Sequence, residues 1–169
     1  MFERKIFTEE QNFFRDTVSK FIKKEILPYH KKWEENGVVS KELWIKAGHA
    51  GLLCPNVPEN YGGIGWDFRF NIIITEELAK AGVTGPGFAV HSDIVAPYII
   101  NYCSEKQKKY YLPKMISGEI ITAIAMTEPG TGSDLQNIKT KATISTDTVT
   151  LNGSKTFITN GQNANLILV

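Results

Sequence analysis

The hydrophobic residues at the start of the chain recur every three to four positions, the spacing of an amphipathic helix. Thr8 and Gln11 form a capping box, a signature of a helix start. Pro28 removes a backbone donor, so the helix is expected to end or kink there, and Gly37 closes the segment. The apolar positions of this helix are Phe14, Val18, Phe21, Ile22 and Ile26.

Similar spacing predicts four further helices before residue 118. They are expected from Ser40, over about 67–81, over 88–102, and from Ser104 to Gly118. Pro97 lies inside the fourth of them and predicts a kink. The run 55–66 holds two prolines and three glycines, which indicates a loop with unusual backbone angles.

Beyond Gly118 the pattern changes from helical spacing to partial alternation rich in Thr, Val and Ile. Strands are expected within 121–127, 141–146, 148–159 and 165–169. The chain is therefore predicted to be of the α+β class, with a helical domain at 1–118 and a β domain at 119–169. Because the last strand is apolar and has no following turn, the second domain is expected to be incomplete.

Composition and charge narrow the classes of partner. The formal net charge is +1, so no overall field favours nucleic acid or an anionic membrane. Two cysteines are too few for a disulfide framework, and no metal-ligand spacing is present, so no metal is expected. No signal segment or membrane-spanning apolar run is seen. We expect no membrane insertion, and a cytoplasmic location or, in a eukaryote, the mitochondrial matrix.

The segment AMTEPGTGSD, residues 125–134, is the strongest candidate for chemistry. It leaves a predicted strand and turns through a glycine-rich loop. Backbone amides in such a loop, together with the Thr127 and Ser133 hydroxyls, can bind a pyrophosphate or another cofactor. Taken alone, the same pattern also fits a plain β-turn.

This segment resembles the flavin-binding signature of acyl-CoA dehydrogenases, and four other segments resemble that family in the same order. They are FTEEQNFFRDTVSKFIKKEILP, VPENYGGIG, GPGFAVHSDIVAPYI and LNGSKTFITNG. The resemblance covers nearly the whole chain and is greatest to the long-chain type. Thr131 and Asn137 depart from the usual signature, where smaller residues are common, and are expected to be tolerated in the loop.

The resemblance implies a helical domain, a β-barrel-like middle domain and bound FAD. It implies that Thr127 bonds the flavin edge, that Phe157 packs on the ring, and that Thr159 lies near the nitrogen that accepts hydride. The segment 157–159 is expected to form an opposing strand. The residues assigned to the cofactor are Ile124, Ala125, Met126, Thr127, Gly132, Ser133, Phe157, Ile158 and Thr159.

The resemblance also implies dehydrogenation of a fatty acyl-CoA, transfer of electrons to an electron-transferring flavoprotein, and a homo-oligomeric full-length protein. The family's catalytic base is a glutamate that would lie beyond Val169, so no residue here is assigned that role. The residues assigned to the substrate are Ser133, Phe88, Val90, His91, Val95 and Tyr98. Four of them, Phe88, Val90, Val95 and Tyr98, are assigned as walls of an acyl channel, and His91 falls in the same helix.

Two kinds of alternative remain open: another flavoenzyme of the same fold, and a protein without catalytic activity. An acyl-CoA oxidase or a flavin monooxygenase would share the same fold, and the access of oxygen to reduced flavin would distinguish them. A non-catalytic binding module, derived from a truncated member of the family, would also carry these motifs.

Overall fold

The computed structural model describes residues 5–169, so the first four residues of the predicted helical domain lie outside the described range. Within it, the helical part precedes the strands, as the sequence pattern predicts. The α-helices are α1 (Glu9–Phe21), α2 (Leu27–Asn36), α3 (Lys41–His49), α4 (Arg69–Lys80), α5 (Ala96–Tyr102) and α6 (Glu105–Ser117).

Two of the predicted helices continue through their prolines by way of a π-helical turn. Ile22–Ile26 connects α1 to α2, and Val90–Val95 leads into α5. Pro28 and Pro97 each lie in the first turn of the helix that follows. A proline cannot donate the usual backbone bond, and the wider π turn accommodates this loss while the chain continues.

The helices enclose two groups of buried apolar side chains. In the first, the Trp44 ring meets Phe88 edge-on, with ring centroids 4.9 Å apart. The second surrounds Val95, Leu112 and Met115. Ile121 belongs to the first group although it precedes the first strand, so the β region packs directly on the helical core.

Helices α3 and α6 approach each other closely at Gly48. A Cβ atom at this position would overlap the backbone of Ile116 and Ser117. Gly118 ends α6 with a left-handed backbone (φ 79°), and a Cβ there would overlap the Trp44 carbonyl group. Both glycines are therefore required by the contact between the two helices.

The β region consists of two separate two-stranded sheets among the described residues. Strands β1 (Thr122–Ile124) and β4 (Leu166–Leu168) pair in parallel, with Thr122 opposite Leu166. Strands β2 (Lys141–Ile144) and β3 (Val149–Asn152) form an exposed antiparallel hairpin. The predicted α+β class is confirmed, while the boundary at Gly118 stays a prediction.

The predicted strand over 148–159 is too long. Strand β3 ends at Asn152, and residues 157–159 lie outside every strand. Phe157 has a left-handed backbone (φ 56°), which breaks the extended conformation that a strand needs. The expectation that 157–159 forms an opposing strand is therefore wrong.

Replacing Gly48 with alanine should destabilise the protein, although alanine normally favours a helix by about 1 kcal/mol. The added methyl group would overlap the α6 backbone, and such overpacking costs about 2 kcal/mol net. Urea unfolding would measure this loss. Gly51→Ala is the control, because no atom lies within 4 Å of its Cβ position and only its left-handed φ costs about 1 kcal/mol. A neutral Gly48→Ala would contradict the close contact.

Candidate functional site

The glycine-rich loop begins where strand β1 ends. The Ala125 N–H donates to the Leu168 carbonyl (2.7 Å), which extends the pairing with β4 by one residue. Glu128 and Thr131 then exchange two backbone hydrogen bonds of 2.9 and 3.0 Å, which close a tight turn around Pro129 and Gly130. The turn presents residues 132–134 to solvent.

The buried carboxylate of Glu128 joins three segments of the β region. It accepts hydrogen bonds from the backbone N–H of Lys139 (2.8 Å), the N–H of Thr140 (2.9 Å) and the Lys155 ammonium group (3.0 Å). Lys155 Nζ also donates to the Met126 carbonyl (3.0 Å). The signature glutamate therefore has a structural role, binding the loop to both neighbouring segments.

The groups around Glu128 favour the charged form of its carboxylate. The side chain of Thr140, the backbone N–H groups of Lys139 and Thr140, and Lys155 lower the pKa of Glu128 to about 2. The Thr140 hydroxyl lies close by but does not reach hydrogen-bonding geometry with any described group. The backbone donors and the Lys155 ammonium therefore carry the stabilisation of the carboxylate, because their distances are those of full hydrogen bonds.

The two residues that depart from the usual signature are accommodated in the loop. Thr131 is buried, and its hydroxyl donates to the Asn137 carbonyl (3.1 Å). The Asn137 amide in turn bonds the Asp134 carboxylate. Both side chains thus add hydrogen bonds within the loop, and a Cβ at Gly132 would still meet no atom within 4 Å.

An open depression of about 690 Å³ collects four of the nine residues assigned to the cofactor. Ala125, Phe157, Ile158 and Thr159 line it, together with the end of β4. The Phe157 ring is 93% exposed, so it is not part of the core. The Thr156 N–H donates to the Thr127 carbonyl (3.0 Å), which joins this wall to the glycine-rich loop.

The other five assigned residues do not line this depression. Ile124 is half-buried on the second apolar group, and Met126 and Thr127 continue the chain from β1. Gly132 and Ser133 are exposed on the loop. Their assignment to the cofactor stays a prediction.

The residues assigned to the acyl channel are separated rather than gathered in one cavity. Phe88 and Val95 are buried in different apolar groups, and Val90 is half-buried at the second of these. Tyr98 is about half-exposed beside Tyr102, with ring centroids 5.7 Å apart. Helical spacing identifies an apolar helix face, but it does not tell residues of the core from residues that border a ligand channel. The acyl channel therefore stays a prediction.

His91 is fully buried between helix and strand. Its Nε2 bonds the Met115 carbonyl (3.0 Å), and its Nδ1 accepts from the Thr122 N–H (3.3 Å), with the Thr122 hydroxyl also within 3.0 Å. A carbonyl can only accept, so Nε2 carries the proton. Burial lowers the pKa of His91 to about 4, and the ring is neutral near pH 7.

Two side chains that no sequence pattern singles out hold the wall of the depression in place. Lys155 precedes Phe157 and binds Met126 and Glu128, as described above. Asn160 follows Thr159 and donates to the carbonyls of Gly87 and Thr122. Both lie inside the segment LNGSKTFITNG that carried the family resemblance, but no periodic pattern distinguishes them from surface residues.

Over residues 5–169, the structure shows no helix long and apolar enough to cross a membrane and no cluster of potential metal ligands. The fold and the site define an α+β protein in which a glycine-rich loop and an exposed aromatic wall flank an open depression.

The chain belongs to the acyl-CoA dehydrogenase family. Residues 8–119 match the family model "Acyl-CoA dehydrogenase, N-terminal domain", and residues 123–169 match "Acyl-CoA dehydrogenase, middle domain". Long-chain specific acyl-CoA dehydrogenase from Sus scrofa is 52% identical over 166 residues, which are 98% of this chain and 39% of that protein.

Solved structures of the family share the fold. An acyl-CoA dehydrogenase from Geobacillus kaustophilus has a TM-score of 0.93 and 48% identity, covering 98% of this chain and 43% of that one. An acyl-CoA dehydrogenase from Bacillus anthracis complexed with FAD has a TM-score of 0.86 and 36% identity, covering 99% and 29%. The chain thus spans less than half the length of each of these proteins.

Replacing Glu128 with glutamine should destabilise the protein, most strongly near neutral pH. The folded-state pKa of about 2 lies below the ordinary value of 4.5, so the charged form stabilises the fold above about pH 4.5. That contribution disappears as the pH falls towards 2. The difference in unfolding free energy between wild type and Glu128→Gln should therefore shrink with acidification.

Urea unfolding at several pH values between about 6 and 3 would measure this difference. Glu119→Gln is the control for removal of one negative charge, since Glu119 is exposed and its carboxylate bonds only the Ser117 hydroxyl among the described groups. A stability difference for Glu128→Gln that stays constant with pH would contradict the proposed role of the carboxylate.

Proposed function

We propose that this chain forms part of the FAD site of an acyl-CoA dehydrogenase. The observation that carries the proposal is the 93% exposed Phe157 ring at the edge of a depression of about 690 Å³. An exposed aromatic ring beside an open concavity suits a planar ligand, because a flat ring can stack on it. FAD in the Bacillus anthracis relative supports this choice of ligand.

The residues around the depression fit FAD in chemical type. Phe157 would lie against the flavin ring, and Thr127 would hydrogen-bond its polar edge. The exposed Thr159 would offer a hydroxyl near the nitrogen that accepts hydride. The exposed Gly132 and Ser133 would provide a backbone amide and a hydroxyl for the pyrophosphate. The Glu128 carboxylate would hold the loop without contributing charge to the ligand, since Lys155 pairs with it.

We propose a fatty acyl-CoA as the substrate of the whole protein, which would remove hydrogen from the α and β carbons of the thioester. The 52% identity to a long-chain specific relative favours a long acyl chain. Bound FAD would supply the hydride acceptor. Ser133 would lie near the thioester, and Phe88, Val90, His91, Val95 and Tyr98 would shape the route of the acyl chain.

The remaining assignments follow from the family resemblance. We propose an electron-transferring flavoprotein as the electron acceptor and a homo-oligomeric whole protein. The printed name of the Sus scrofa relative includes the word mitochondrial, which supports a mitochondrial location in a eukaryote. We propose the matrix there, and the cytoplasm in a bacterium. Oxidase and monooxygenase chemistry would differ in producing peroxide or an oxygenated product in air.

FAD should bind the 169-residue chain weakly, with a Kd above about 1 μM. A few hydrogen bonds of about 1 kcal/mol each must offset an association cost of roughly 4–15 kcal/mol. Phe157→Ala should weaken binding about tenfold, because an aromatic pair contributes up to about 1.5 kcal/mol. Fluorescence titration of FAD would measure both constants.

Leu151→Ala is the matched control for the flavin titration. Leu151 is an exposed apolar residue of β3 that does not line the depression, so its loss should leave FAD affinity unchanged. Thermal unfolding would show that both variants fold, since neither side chain is buried. Equal FAD affinity in wild type and Phe157→Ala would reject the flavin site, and submicromolar binding would reject the expected weakness.

The chain by itself should not oxidise acyl-CoA. By the resemblance the catalytic glutamate is not among its residues, and the buried Glu128 is held by Lys155 and two backbone donors. Reduction of an artificial electron acceptor would be followed with the purified chain, FAD and a long-chain acyl-CoA. Sustained turnover above the rate without protein would show that a carboxylate in this chain serves as the base.

A further inference from the structure

The segment that carries Phe157 has an unusual backbone. Phe157 and Asn160 both have left-handed angles, with φ of 56° and 64°. Asparagine tolerates this conformation, whereas a bulky residue such as phenylalanine adopts it at a cost of about 1 kcal/mol or more. The surrounding structure must therefore hold Phe157 in place, because the local sequence disfavours its conformation.

Asn160 supplies two bonds that can do so. Its side-chain amide donates one hydrogen bond to the Gly87 carbonyl (3.1 Å) and another to the Thr122 carbonyl (3.0 Å). These carbonyls belong to the loop before the Val90–Val95 turn and to β1, so one side chain connects the segment to both the helical core and the sheet. Both amide hydrogens are used.

The approach to Gly87 is close enough to require glycine. A Cβ atom there would overlap the Asn160 side chain and the Thr159 methyl group. The Gly87 backbone is not left-handed, so steric contact rather than backbone conformation excludes a side chain. The sequence positions of Gly87 and Asn160 are 73 residues apart, and the contact exists only in the folded chain.

The partners of Asn160 are themselves held by buried groups. Thr122 is fully buried, and its N–H bonds the neutral His91 ring, which also bonds the Met115 carbonyl of α6. Asn160 therefore attaches to a polar network in the interior rather than to a mobile surface group. An attachment of this kind restricts the three residues before it.

We infer that Asn160 is a positioning residue that sets the placement of Phe157, Ile158 and Thr159 in the wall of the depression. It does not line the depression itself but acts through the turn that it anchors. The inference rests on the proposed flavin site for its functional consequence. The restriction of residues 157–159 can be measured without flavin.

Two substitutions separate the amide from the backbone conformation. Asn160→Asp keeps the shape and the tolerance of left-handed angles but removes both donors. Asn160→Gly adopts left-handed angles freely and removes the whole side chain. If only the backbone conformation of residue 160 matters, Asn160→Gly should behave as the wild type does.

Asn163→Asp is the matched control. The Asn163 amide donates from the same turn to the Val39 carbonyl (2.5 Å), so its loss also removes a contact with the helical part. It does not reach Gly87 or Thr122, and Asn163 does not line the depression of Phe157. If loss of any contact between this turn and the helical part were enough to release residues 157–159, Asn163→Asp should release them too; we expect that it does not.

Amide hydrogen exchange of the 169-residue chain would be followed by NMR, with helix α4 as the internal standard for the overall fold. We expect exchange of the Gly161 amide, which donates to the Ile158 carbonyl (2.9 Å), to become about tenfold faster in Asn160→Asp and Asn160→Gly, and to change less than about twofold in Asn163→Asp. Wild-type protection of the Gly161 amide in either Asn160 variant would overturn the inference. Equal acceleration in α4 would also overturn it, because that result indicates general destabilisation.

FAD titration of the same variants tests the functional consequence separately. We expect Asn160→Asp to weaken FAD binding at least about fivefold, with Asn163→Asp unchanged. Faster exchange combined with wild-type FAD affinity would reject Asn160 as a positioning residue for the cofactor. Absence of FAD binding in the wild type would reject the proposed flavin site in this chain, while the exchange data would still decide whether Asn160 restrains the segment.

Discussion

The arrangement of this protein depends on the buried backbone of Thr122. Its N–H bonds His91 and its carbonyl accepts from Asn160, so the first residue of β1 is joined to the helices on one side and to the Phe157 segment on the other. Buried backbone groups must be paired, and here side chains from distant parts of the sequence supply the partners. The sheet consequently has a defined position on the helical core.

A second polar centre organises the loop. Glu128 is buried with Lys155 and two backbone N–H donors, and it ties the glycine-rich turn to the segments on both sides. Lys155 and Asn160 therefore hold opposite ends of the short segment that carries Phe157. Between these two attachments the chain exposes an aromatic ring, which gains almost no free energy from burial until a partner covers it. A stacked cofactor is the partner that we propose.

Sequence reasoning predicted the helices well because their signals are local. Both capping boxes form, with Thr8 bonding Gln11 and Ser104 bonding Gln107, and Gly118 ends α6 in the left-handed conformation. The prediction of a strand through 157–159 was wrong because alternation describes side-chain types but does not report a single left-handed residue. The channel residues stay untested, since a helix face that is apolar for packing looks the same as one that borders a ligand.

The sequence by itself determined the helical elements, the change to strands after Gly118, the glycine-rich loop and the family resemblance. These follow from spacing, caps and ordered motifs, which act over a few neighbouring residues. Only the tertiary structure decided that His91 is a buried neutral link, that Phe157 is exposed, and that Asn160 reaches Gly87. These features depend on contacts between residues tens of positions apart, and hydrogen bonds across such distances leave no periodic trace in the chain.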